Sequence, residues 1–412
     1  NLRTIGKIDL MTYDLTSLAF LRDPAPMLVQ MRDDAPVIRA KIPFIGKTWF
    51  TTSDAAARIV LKDPARFVRD PRPITGKSLA QRFWFFPRFM QPLFGNMLGK
   101  DGADHKRLRG LVDQAFARTN IDDLRPELAQ MADGLLDKID PSKPVDIINA
   151  YARPLPLMAI CALLGLPDAD RDRVAAMISP LSGPVNKWSI IKAFPGLYRA
   201  MRYFRADFAN VRTNPRAGLI ADLVAAEDAS DSLSEDELLA MVVTLFIAGH
   251  ETTVHLIAMT LLSLTTRPSA RAALETKPET LPLLIEEVMR FSSPVMMTKP
   301  HFVTQDTQIE GTALKKGDQI MALLIGANHD PARFDMPETF IADRRPNAHL
   351  GFGHGPHVCL GMQLARIEAQ IAITQLFAKY PDLRLSNEND PPQYLQRIGI
   401  HGLTELKLTL RP

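Results

Sequence analysis

The sequence predicts a mainly α fold with small peripheral β-sheets (α+β), built as one large domain over residues 1–412. Three observations predict it. Helical spacing of apolar residues dominates from Asp104 to Arg267. Within that region, residues 235–266 form one long apolar stretch with a helix start and a helix stop. Strand-like alternation is confined to short runs near 36–52, 302–325 and 405–410.

Taken in order, Pro36–Ile42 and Lys47–Thr52, separated by Pro43 and Gly46, read as a hairpin, and Asp54–Leu61 as a helix. Residues 70–100 are irregular and hold prolines and an aromatic cluster of Phe83, Trp84, Phe85, Phe86, Phe89 and Phe94. Helices are expected over 103–116, 121–139, 147–164, 168–178, 197–213 and 218–225. The longest follows. Ser234 and Glu237 make a capping box, and Arg267–Pro268 marks the stop. At ~1.5 Å per residue the helix between them is about 48 Å long, so it must cross the interior. Further helices are expected at 269–275 and 280–291. Residues 302–325 then alternate with turns at Glu310–Gly311 and Lys316–Gly317, and a turn-rich meander fills 326–358. A last long helix covers 360–379, and 405–410 is strand-like.

Composition excludes several classes. A net charge of +3 and 23% charged residues are too mild for a nucleic-acid footprint. Two cysteines, Cys161 and Cys359, cannot make a disulfide framework. Cys161 lies in an apolar run and reads as a small buried hydrophobe. The N-terminal residues show no basic-then-apolar leader, so a cytoplasmic location with no transmembrane segment is expected. The apolar stretch 238–264 carries His250 and Glu251 at its middle, which is costly in a bilayer and fits a buried core helix.

Residues 351–361 read Gly-Phe-Gly-His-Gly-Pro-His-Val-Cys-Leu-Gly. This is a tight loop that ends in a cysteine directly before a helix. Backbone N–H groups and the helix N-terminus lower a thiol pKa. On that basis alone Cys359 is a nucleophile, a metal ligand or inert. The run Phe352-Gly353-x-Gly355-x-His357-x-Cys359-x-Gly361, continuing into Leu364-Ala365-Arg366, resembles the haem-binding signature of the cytochrome P-450 superfamily, in its soluble bacterial form. The resemblance covers nearly the whole chain from about Asp54 and is weakest at 70–100 and 180–215. It implies haem b with Cys359 as the iron ligand, and Phe352, Gly353 and Gly361 shaping the cofactor loop.

Two further motifs resemble the same family. Ala248-Gly249-His250-Glu251-Thr252 matches its oxygen-binding stretch. The resemblance implies that Ala248 and Gly249 leave room for dioxygen, that Thr252 hydrogen-bonds it and places a water, and that Glu251 relays protons. Independently, a glycine costs about 1 kcal/mol in a helix interior, and Thr252 and Thr253 can bond backwards to carbonyls. His250 and His255 are read as structural. Glu287-x-x-Arg290 resembles the family's buried ion pair, completed by Arg344 or its neighbour Arg345, with a structural role.

Haem carries two propionates, which need cationic partners. His105 and Arg109, at i, i+4, resemble the family's His-x-x-x-Arg, and His357 is a third candidate. The family supplies a further arginine where this chain has His301. That departure puts one contact in doubt, because a histidine makes a weaker, pH-dependent one.

The substrate pocket is expected from Phe85 and Phe89, from Val243, Thr244 and Ile247, from Val295, Met296 and Met297, and from Ile400. His401 and Thr244 are its expected polar groups. Such a lining suits a small hydrophobic substrate. Residues 187–204 are read as a lid over it, with membrane contact the other reading. The implied activity is a dioxygen-dependent monooxygenase fed by a ferredoxin or flavodoxin with its reductase, expected as a monomer. Lys106, Arg107, Arg118, Arg344 and Arg345 are candidates for a basic docking surface. A peroxide-dependent or isomerising haem-thiolate enzyme and a non-catalytic haem or ligand-binding protein are the alternatives. The intact Glu251–Thr252 pair argues against both.

Overall fold

The computed structural model describes residues 13–42, 46–82, 84, 86–118, 121–178, 187–229, 233–387 and 392–411. Its contacts group into two compact units, each assembled from separate stretches of chain.

The first unit takes Asn1–Gly76, Glu286–Cys359 and Gln396–His401. Its centre is a five-stranded sheet. Val37–Ile42 pairs antiparallel with Gly46–Thr51, the expected hairpin. Gln319–Ala322 lies parallel to Gly46–Thr51, with Trp49 opposite Ile320. His301–Val303 is antiparallel to Gln319–Ala322, and Phe67–Val68 closes the order by pairing Phe67 with Val303 and Val68 with Phe302. The helix Asp54–Lys62 starts where the Ser53 hydroxyl accepts the Ala56 N–H. Its Ala56 and Val60 pack with Val37, Phe67, Val303 and Ile320 in one core cluster. A two-residue hairpin turn at Glu310–Gly311 has φ of 45° and 84°. Both residues therefore lie in the left-handed region that such turns require.

The second unit takes Lys77–Ile285, Leu360–Leu395 and Gly402–Pro412, and is helical. The long helix Glu235–Thr266 is continuous. Its capping box is present, with Ser234 accepting from the Glu237 N–H and the Glu237 carboxylate accepting from the Ser234 N–H. It is the one helix among the described residues apolar and long enough to cross a membrane, and it is mostly buried in protein. Pro154–Leu164, Lys187–Thr213, Leu219–Ala229 and Met362–Lys379 pack against it. Two short sheets, 145–146 with 407–409 and 384–385, and 393–394 with 403–405, complete the unit.

Two helices differ from expectation. The stretch expected as one helix over 147–164 is a π turn, Ile148–Ala152, followed by Pro154–Leu164. Proline lacks the N–H needed to continue an α-helix and is suited to a first turn, so the new helix starts at Pro154. The helix expected from Leu197 starts instead at Lys187 and runs through Pro195 and Gly196. Packing accounts for it. A Cβ at residue 196 would sit 2.3 Å from the Met177 carbonyl oxygen, so glycine lets this helix lie directly on Asp168–Ile178.

Candidate active site

The cysteine loop is held by backbone geometry and by a buried charge network. Gly353 and Gly355 have φ of 74° and 73°, a region glycine enters without a Cβ penalty. Gly355 has a second constraint, since a Cβ there would lie 2.2 Å from the Leu61 carbonyl oxygen at the end of the 54–62 helix. The Cys359 N–H donates to the Phe352 carbonyl at 2.9 Å and closes the loop. Gly361 precedes the helix Met362–Lys379, and a Cβ at 361 would meet no protein atom within 4 Å.

Behind the loop, Glu287 is fully buried and takes both guanidinium groups of the network. Arg290 donates Nε to Oε2 at 2.8 Å and Nη2 to Oε1 at 2.7 Å, and Arg344 Nε lies 3.1 Å from both oxygens. The Ile341 N–H and the Asn347 amide also donate to Glu287. The arginines in turn tie down the meander through the carbonyls of Asn328, Asp335, Met336, Pro337 and Thr339. Asn328 passes the restraint on, because its side-chain oxygen accepts the Leu350 N–H at 2.6 Å. His349 acts beside it. Its Nδ1 accepts the Gly351 N–H, which leaves Nε2 to donate to Glu286 at 3.1 Å. The sequence alone pointed to neither Asn328 nor His349. Arg345 is exposed and outside this network.

On the long helix, Glu251 is buried at 6% exposure. The Thr252 hydroxyl donates to the Ala248 carbonyl at 2.8 Å and the Thr253 hydroxyl to the Gly249 carbonyl at 3.2 Å. Most of the middle of this helix is buried, whereas Thr244, Ile247, Ala248, Gly249 and Thr252 are half-buried or exposed, and Thr244, Ile247, Ala248 and Thr252 keep side-chain surface. Steps of 3, 1 and 4 residues put Thr244, Ile247, Ala248 and Thr252 on one face, and Glu251 belongs to the same face. Gly249 has a packing reason beside the expected one. Its Cβ direction meets Ile160 Cδ1 at 3.0 Å, so glycine permits close approach of the 154–164 helix. His250 is buried, and desolvation, with Arg153 nearby, pushes it down to about 4.

The propionate candidates lie in both units. His105 is buried on the helix Gly102–Arg118 and Arg109 is half-buried, its Nε 3.0 Å from Asp113. In the first unit, His301 is buried, and its Nδ1 has no hydrogen-bond partner. Desolvation, then the charges of Arg69 and His357, push its pKa well down.

Several expectations are corrected. His401 does not reach a pocket, because its ring nitrogens meet the backbone carbonyls of Ser292 and Leu21. Met296 has no exposed surface and Val243 only 1%, so neither lines an open space. Met297 and Ile400 keep 5% and 8% of their surface, and Val295 is half-buried against the cluster around Ala57 and Leu324, so these three remain pocket candidates. Phe85 and Phe83 lie outside the described residues. Phe89 packs edge-on against Phe194 and Tyr198 of the 187–213 helix. Of the basic docking set, Arg107 is bound to Glu237 at 2.6 Å and Arg344 to Glu287. Lys106 and Arg345 are exposed, and the Arg118 side chain lies outside the described residues.

Comparison with known proteins decides the family. The family model for Cytochrome P450 matches residues 196–407. The chain is 35% identical to Cytochrome P450 107B1 of Saccharopolyspora erythraea, over 99% of both chains. It is 34% identical to the Vitamin D(3) 25-hydroxylase of Pseudonocardia autotrophica, over 97% of both. The chain belongs to the cytochrome P450 family. A crystal structure of myxobacterial cytochrome P450 CYP267B1 with myristic acid aligns at a TM-score of 0.87 with 33% identity, covering 97% of this chain and 99% of that one. The fold is therefore the mainly helical P450 fold, and the chain is a P450 monooxygenase.

P450 proteins bind haem b through a cysteine thiolate. The residues present fit that group. Cys161 is wholly buried and its thiol is pushed up to about 12 by desolvation, whereas Cys359 is exposed on a loop closed by glycines. Arg69 is buried in the same unit and lies close enough to His301 to lower its pKa, and its permanent positive charge suits an anionic side group.

Proposed function

We propose that this P450 inserts one oxygen atom from dioxygen into a small hydrophobic organic substrate, by hydroxylation, epoxidation or oxidative demethylation. The observation that carries the reading is the exposed Cys359 on its glycine-closed loop. Haem held by that thiolate supplies dioxygen activation, and thiolate donation favours O–O cleavage.

The remaining work falls to the chain's own residues. In the second unit His105 and Arg109, and in the first unit His357, are the residues that would meet propionates. Glu251, buried on the helix face that keeps accessible surface, relays protons. The Thr252 hydroxyl donates to the Ala248 carbonyl, so its oxygen lone pairs are free to receive a proton or order a water. Thr244 and Ile247, on the same face, touch the substrate, with Phe89 and the 187–204 segment as the lid. Electrons come from a ferredoxin or flavodoxin with its reductase, and the exposed Lys106 and Arg345 attract an acidic donor. The substrate class is supported by the apolar character of the accessible face, where Thr244 and Thr252 supply the hydroxyls.

The test is a carbon monoxide difference spectrum of the reduced protein with Cys359→Ser beside it. The strongly red-shifted band of a thiolate-ligated haem is expected in the parent and absent in the variant. A red-shifted band that survives Cys359→Ser sinks the assignment. A panel of hydrophobic compounds that shift the ferric protein to high spin then names the substrate class.

A further inference from the structure

We infer that Arg69 takes the propionate contact that this chain's histidine at 301 does not make, reaching the cofactor from the neighbouring strand. The inference rests on the reading of Cys359 as the haem ligand.

The geometry comes from strand pairing. Phe67–Val68 runs antiparallel to His301–Val303, with Phe67 opposite Val303 and Val68 opposite Phe302. Arg69 directly follows Val68, and His301 directly precedes Val68's partner Phe302, so the two lie at the same end of the ladder. Arg69 is buried at 8% exposure and His301 at 4%. His301 also feels the charges of Arg69 and of His357, two residues before Cys359.

The two side chains divide the work unequally. An arginine stays charged and presents a planar fork that matches a carboxylate. His301 is desolvated and lies beside that permanent charge, both of which favour its neutral form. A neutral imidazole can donate one hydrogen bond but brings no charge. Lys299 lies within range as well. Its side chain is exposed, and Arg69 adds to the lowering of its pKa. The neighbouring carboxylate, Asp70, accepts from the Arg72 backbone N–H at 2.9 Å and from its Nε at 2.6 Å. Arg69 is thus a buried, permanently charged group beside His301.

The experiment measures the rate at which the holoprotein gives up haem to excess apomyoglobin, together with the carbon monoxide spectrum. Arg69→Gln is expected to speed haem loss about tenfold or more, the effect of losing one charge-assisted hydrogen bond, with the red-shifted band retained. His301→Gln alone is expected to stay within about threefold of the parent, and His301→Arg in the Arg69→Gln background to restore the parent rate. A restored rate cannot come from misfolding. If Arg69→Gln does not fold, His301→Arg is compared with the double variant, and equal rates support the exchange. Parental haem retention in Arg69→Gln, or a double variant no better than the single, overturns the proposal while leaving Cys359 as ligand untouched. Loss of the red-shifted band from the parent protein itself would instead remove the reading beneath it.

Discussion

Changing Glu287 to Gln alters one atom and one charge, and the structure sets how much follows. Glu287 and Arg290 have no exposed side-chain surface, and Arg344 has 6%. The carboxylate is the acceptor for two guanidinium groups, one backbone N–H and one amide. With Gln at 287, two buried cations lose their countercharge, and one of the two acceptor oxygens becomes a donor facing donors. Removing one partner of a buried pair costs about 3–5 kcal/mol. For a chain of this size, an unfolding entropy of about 2.1 cal/mol/K per residue converts that into a drop in Tm of roughly 4–6 °C. Because Asn328 links the network to Leu350, the loss is expected to appear also as weaker haem retention. The assay is thermal unfolding followed at the Soret band and by circular dichroism. Replacing Arg290 by Met in the Glu287→Gln background should cost less than the sum of the single changes, since the second removes a charge the first stranded. A Tm within about 1 °C of the parent for Glu287→Gln would falsify the account of this network as a structural clamp.

Three further outcomes follow from the same structure. His250 is neutral and buried, so protons bind the unfolded chain first as pH falls below about 6.5; its contribution to stability is lost between there and about 4. Urea midpoints at pH 7 and pH 5 should show a difference of about 2 kcal/mol from this group, which His250→Asn removes; an unchanged pH dependence in the variant refutes it. Gly355→Ala should destabilise strongly, because its Cβ meets the Leu61 carbonyl at 2.2 Å and φ is positive, whereas Gly361→Ala, facing no protein atom, should leave the fold intact; equal melting curves for the two would show that the loop relaxes freely. In Cys359→Ser, iodoacetamide at pH 8 should leave Cys161 unmodified until denaturant is added, since burial raises that thiol to about 12; mass spectrometry of the native variant checks it.

The long helix was legible because its signals are local. Ser234, Glu237, Arg267 and Pro268 sit within a turn of its ends, and the structure reproduces the expected bounds. The cysteine loop was legible for the same reason, since glycines with positive φ cluster within nine residues of Cys359. The Glu287–Arg290 spacing was visible, but spacing alone does not separate a surface pair from a buried one. Burial comes from Arg344 and the carbonyls of a meander some fifty residues downstream. The 147–164 and 187–213 helices were misread because Pro154 and Pro195 look alike in sequence. One begins a helix and the other is carried inside one, and only the contact of Gly196 with Met177 tells them apart.

His401 and Arg69 show the limit most clearly. His401 follows an apolar run and reads as a polar pocket group, but the Leu21 carbonyl it meets is 380 residues away. Arg69 drew no notice in a proline-rich stretch, and nothing within twenty residues of it suggests a cofactor. Its position acquires meaning only when Phe67–Val68 pairs with His301–Val303, more than two hundred residues later. The missing arginine at 301 was visible in the sequence, and its replacement was not, because the side chain that fills a role need not come from the strand on which the role is expected. A sheet offers two neighbours at every position. A departure from a family pattern on one strand is therefore a reason to look for a compensating charge directly across the ladder before concluding that a contact is lost.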